Sequence, residues 1–159
     1  MNLQSRVCEI LEIEQPIVLA GMGGASSPAL AAAVSNAGGL GVLGAAACGP
    51  RQLREWIRQT REMTDKPFGV DTLLPASVRR ANYEDNDGPT PMDLVPERQA
   101  FAEEFMRKEG LEPPEPGSLQ RGPDDDEPAL FTKEFFEAQM EVIIQERVPV
   151  YASGLGNPG

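Results

Sequence analysis

The chain has 159 residues, 40% of them apolar, and a formal net charge of −11. That length suits one domain with a real hydrophobic core. The negative charge repels nucleic-acid phosphates and anionic lipid heads, so neither nucleic acid nor a membrane is expected as a partner.

The first strand-like run is Pro16-Ile17-Val18-Leu19-Ala20, short, apolar and rich in β-branched residues. Gly21-Met22-Gly23-Gly24 follows, then Ser26-Ser27-Pro28, where serine before proline marks a helix start. The predicted helix covers Ala29 to Ala37, and Gly38-Gly39 stops it. Leu40 to Gly44 is the second predicted strand. A second helix opens at Gly49-Pro50, with Leu53, Trp56, Ile57 and Thr60 at helical spacing and Arg51, Arg54, Glu55, Arg58 and Arg61 on the other face. Thr64 to Pro67 ends it, because a residue before proline avoids the helical region. Phe68 to Leu74 is the third strand. Strands starting at 16, 40 and 68 leave room for one helix and two short loops per unit, the pattern of a parallel sheet with crossover helices.

The rhythm breaks after Leu74. Pro75 to Leu130 contains nine prolines and the run Asp124-Asp125-Asp126-Glu127. Residues 80 to 130 hold 14 acidic and 5 basic side chains, so most of the net charge lies there. Only Pro96 to Lys108 reads as a helix, with Phe101, Phe105 and Met106 as its apolar stripe. The rest reads as an extended arm and a flexible acidic linker. A helix from Thr132 to Arg147 turns Phe135, Phe136, Gln139, Val142 and Ile143 inward, and Val148 to Ala152 is the fourth strand. The organisation is then residues 1–75 with three β/α strands, 76–130 as an acidic insertion, and 131–159 with the fourth helix and strand. The fold class is α/β, the first four units of a TIM-type barrel. Four such units leave two sheet edges open, whereas eight close on themselves.

Chemistry in parallel β/α folds sits at the C-terminal ends of the strands. Here those ends are Gly21 to Gly24, Gly44 to Gly49, Asp71-Thr72 and Ser153-Gly154-Leu155-Gly156. Glycine there lets a flat or phosphorylated ligand approach backbone N–H groups, although glycine also simply makes tight turns. Asp71 is the charged residue within a strand pattern, either a ligand acceptor or an outward carboxylate. Cys48 lies near the same mouth, but the chain has no histidine to activate it, so it reads as a small core residue. The lack of histidine also rules out Ser-His-Asp and Cys-His catalysis within these residues. Contiguous carboxylates at 124–127 make a poor metal site, and no metal is expected. Cys8 and Cys48 are too few for a disulfide framework. Met1 to Gln15 does not read as a signal peptide and no apolar run is long enough to span a membrane, so a soluble, cytoplasmic protein is expected.

Three segments together carry a family likeness: Pro16 to Gly23, Leu30 to Gly44, and Thr64 to Val70. They resemble the nitronate monooxygenases, formerly called 2-nitropropane dioxygenases, and share the pattern of the related FMN-dependent enoyl-acyl-carrier-protein reductases. The closing Ser153 to Pro158 resembles that family's loop after strand four. The likeness covers residues 6–75 and 131–159, with the acidic excursion outside it. It implies a TIM barrel holding FMN, in which an alkyl nitronate is oxidised with O2 to a carbonyl compound and nitrite. By position, Gly21, Met22 and Gly23 would contact the flavin through backbone groups, and Ser153 and Gly154 would line the substrate side. Asp71 aligns with an asparagine that contacts the flavin ring, a departure, since an ionised carboxylate accepts hydrogen bonds but cannot donate them. The family's catalytic histidine and phosphate-binding loops belong to later segments, so no catalytic residue is assigned here and the chain alone is expected to be inactive. Two other readings are a half-barrel that dimerises across a two-fold axis, and a portion of an enoyl-acyl-carrier-protein reductase. A complementing C-terminal half is the remaining partner expected.

Overall fold

The computed structural model describes residues 5–73, 95–111 and 122–154. Its elements in chain order are α1 (Arg6–Leu11), α2 (Pro28–Asn36), β1 (Gly41–Gly44), α3 (Pro50–Met63), β2 (Phe68–Leu73), α4 (Val95–Glu109), α5 (Lys133–Gln145) and β3 (Val150–Gly154). The three strands form one parallel sheet in the order β1-β2-β3. Asp71 lies opposite Gly44 on one side and Ala152 on the other.

Parallel strands joined through helices need each helix to bury an apolar stripe on the sheet, and α2, α3 and α5 do so. Leu43, Phe68 and Val70 meet Ala31, Leu53, Trp56, Ile57, Val142 and Ile143 in the main core. The opposite face of the sheet carries a smaller cluster, in which Leu40 and Val42 meet Cys8 and Ile13. The short helix α1, which sequence periodicity does not reveal, supplies Cys8 to that cluster. It ends at Glu12 in the left-handed conformation, at φ 54°. Among the described residues no helix is long and apolar enough to cross a membrane.

Pro16 to Ala20 departs from the expected strand. It makes one parallel bridge, Val18 to Leu40, with Leu19 N–H donating to Leu40 O and Leu40 N–H to Ile17 O. Ile17 and Val18 are 60% and 51% exposed. An apolar run is held as a strand by burial on both faces, and here both side chains stay more than half exposed among the described residues. The fourth strand runs two residues later than expected, at Val150 to Gly154, because α5 ends at Gln145 and Arg147 turns the chain at φ 49°. Leu74, the expected end of the third strand, lies outside the described residues, as do most of the arm and the segment from Leu155 onward.

The acidic run makes contact with the start of α3. Arg51 at the start of α3 pairs with Asp124 at 3.3 Å and with Asp126. Glu127 accepts the Arg51 N–H at 2.8 Å and the Asp124 N–H at 2.9 Å. The N-cap of α3 is Gly49, which has no side chain to accept an orphan helix N–H. Glu127, distant in sequence, takes that role, and its charge suits the positive end of the helix.

Candidate functional site

In a parallel sheet all strands finish at one end. Gly44, Leu73 and Gly154 therefore close β1, β2 and β3 side by side. The loop after Pro16–Ala20 folds over this end. Ser26 builds it: fully buried, its Oγ donates to Ala20 O at 2.7 Å and accepts from Met22 N–H at 3.1 Å. Met22 O in turn accepts from Ala25 N–H and Ser26 N–H, and Ser26 O accepts from Gly44 N–H. The Ser-Ser-Pro pattern reads as a helix-capping signal. Ser27 does sit at the N-cap of α2, yet its side chain makes no capping bond. It is the preceding serine that works, as the staple of the glycine loop.

Two glycines are required for this packing. A Cβ on Gly44 would strike the Met22 backbone, and a Cβ on Gly21 would strike the Asp71 carboxylate, each closer than 3.0 Å. Gly21 and Met22 are thereby laid across Gly44 and Asp71. The small residues opposite Asp71, Gly44 and Ala152, leave its half-buried side chain room at the centre of the sheet end. Burial pushes the Asp71 carboxyl above the ordinary 3.8, and a backbone hydrogen bond from Gly154 partly offsets it. In the neutral form that this favours, the carboxyl can donate as well as accept.

Gly23 is exposed on the loop, and Gly24 stands at φ 79° with open space where a Cβ would be. Neither amide donates to an acceptor among the described residues. The structure thus gathers Gly21, Met22, Gly23, Asp71 and Gly154 at one place. Ser153 is different. Strand alternation puts it on the face shared by its register partner Thr72 and by Tyr151, whose hydroxyls are 3.0 Å apart, away from Asp71. Cys48 is a core residue, fully buried, its thiol donating to Gln52 Oε1 at 3.3 Å.

The family profile of nitronate monooxygenases matches residues 4–158, which takes in the acidic excursion as well as the flanking units. A probable nitronate monooxygenase from Staphylococcus aureus strain JH9 is 29% identical over 155 residues, covering 98% of this chain and 38% of that protein. Among solved structures, FabK from Thermotoga maritima is 32% identical with a TM-score of 0.57, covering 98% of this chain and 32% of that one. Nitroalkane oxidase from Streptomyces ansochromogenes is 28% identical with a TM-score of 0.55, covering 97% and 37%. The chain therefore spans about a third of the length of the proteins it matches.

Proposed function

This chain belongs to the nitronate monooxygenase family, and we propose that it forms the flavin-facing first portion of a partial TIM barrel, serving the oxidation of alkyl nitronates by O2. FMN, when bound, supplies the redox chemistry that carries electrons from nitronate to oxygen. The observation that carries this reading is the Gly21–Gly24 loop, stapled by Ser26 over Asp71 at the strand ends.

The residues present fit such a group. The Gly23 and Gly24 amides are available to acceptor atoms, and Gly24 leaves open space where a side chain would stand. Burial raises the Asp71 pKa, and when protonated its carboxyl could donate to a ring acceptor without adding charge. Its ionised form would place a negative charge beside a ring that becomes anionic on reduction. The Gly154 N–H donates to the same carboxyl and favours its ionised form. These residues bind and orient; none of them abstracts the substrate proton, and the chain alone is proposed to be inactive.

The likeness to FabK supports a second reading, a portion of an FMN-dependent enoyl-acyl-carrier-protein reductase. Titration of FMN with the purified chain, followed by quenching of flavin fluorescence, tests the common part of both. Saturable micromolar binding is expected, and no binding at high micromolar protein would overturn it. Reduction of the bound flavin by NAD(P)H would favour the second reading over the first.

A further inference from the structure

Gln139 stands in the middle of α5, fully buried. Its Nε2 donates to Ala45 O at 2.8 Å and to Cys48 O at 2.8 Å. Both carbonyls belong to the turn between β1 and α3, 94 and 91 residues away in sequence. Carbonyl oxygens only accept, so the NH2 end of the amide must face them. The remaining atom, Oε1, is buried with no partner among the described residues. The other side of the same turn is tied to the site, because Ala45 N–H donates to Asp71 O at 2.8 Å.

The turn is thus pinned between α5 and the strand position of Asp71. Leaving a buried acceptor such as Oε1 unmatched carries its full desolvation penalty. An apolar residue of similar size would not carry that cost, so packing alone does not account for glutamine here. Its two donations to the turn do. We infer that Gln139 is a positioning residue: it holds residues 45–48 against the Asp71 end of the sheet, as one wall of the ligand mouth, without touching a ligand itself. The identity of that ligand rests on the flavin reading above; the hold on the turn does not.

The chain's two cysteines supply an internal control. Cys48 lies in the pinned turn, and Cys8 lies in the separate cluster on the other face of the sheet. Labelling by an aromatic disulfide reagent reports how often each thiol becomes exposed. In Gln139→Met, which keeps volume but loses the donors, Cys48 is expected to label about tenfold faster, with Cys8 within about twofold of wild type. Equal acceleration of both thiols means general loosening and overturns the inference, as does no acceleration of either. Should this variant fail to fold, hydrogen exchange of the Gln139 side-chain amide in the wild-type chain decides. Protection like that of neighbouring α5 amides supports the inference, and exchange at the rate of free glutamine overturns it. FMN titrations on the same samples separate the two readings. A wild-type chain that binds no FMN sinks the flavin reading while the thiol rates still judge Gln139. Fast Cys48 labelling with unchanged FMN affinity would overturn the placement of the turn at the mouth.

Discussion

Asp71 and Gly21 are interdependent, since one has room for its carboxylate only because the other has no side chain. Gly21→Ala is expected to destabilise the chain by about 1–3 kcal/mol, the usual cost of forcing an atom into filled space. The loss should shrink in an Asp71→Gly background, a coupling that a double-mutant cycle in urea would reveal. Asp71 also carries a pH signature. Its pKa is raised on folding, so the folded chain holds this proton more tightly than the unfolded one. Stability from this group is full below about pH 3.8 and is lost as pH rises through the higher folded value. Asp71→Asn should therefore be more stable than wild type at neutral pH, with the gap closing in acid. Trp56, the chain's one tryptophan and 1% exposed, gives the fluorescence signal for these unfolding curves.

Helices α3 and α5 are joined by more than apolar contact. Arg54, Arg58 and Arg61 of α3 converge on the Glu146 carboxylate at 2.9, 2.9 and 3.0 Å, and Arg61 also reaches the Glu146 carbonyl at the end of α5. Cations there complement the negative end of that helix. Burial pushes the Glu146 carboxyl up, but hydrogen bonds from Arg54 and Arg58 outweigh it and leave its pKa below the ordinary 4.5. The clamp thus stabilises the fold above about pH 4.5 and fades as pH falls through the lower folded value. Glu146→Gln should cost about 1–2 kcal/mol near neutral pH and remove that part of the acid dependence. The figure is modest because Arg58 is 62% exposed and solvent screens it. The Glu127 cap on α3 is open to a similar test. Glu127→Ala should lower stability by about 1 kcal/mol and speed proteolytic cleavage between residues 122 and 130. Unchanged cleavage would show that the acidic run does not depend on this bond.

At the scale of the molecule, β3 pairs with β2 and with no other described strand. A parallel edge of this kind offers unpaired backbone groups to another strand. A second copy or a complementing C-terminal half is the proposed partner, and size-exclusion chromatography distinguishes them. A compact dimer of the pure chain supports self-pairing. A monomer that shifts only when a later segment of a full-length relative is added supports complementation. Much of this scale could be read in the sequence. Apolar runs bounded by glycine, and arginines opposite Leu53, Trp56 and Ile57, give the parallel sheet, α3 and the glycine loop from local pattern alone. The first run, Pro16 to Ala20, misleads because composition shows that a segment suits a strand but not whether both of its faces will be covered.

Local chemistry therefore settles in the sequence what depends on neighbours along the chain. Proline at the first turn of α2 and α3, glycine at the sheet ends, helical spacing and strand alternation all act within a few residues. They fix the elements, their order and the loops that gather at one end. What spans the chain was decided only by tertiary structure: Glu127 capping α3, Glu146 drawing three arginines together, and Gln139 gripping the turn at Ala45. Asp71 belongs to both levels. Its place in a strand is written in the pattern around it, but its proton affinity is set by burial, partly offset by the Gly154 N–H. A pKa depends on what surrounds the group in space, and no local spacing carries that information.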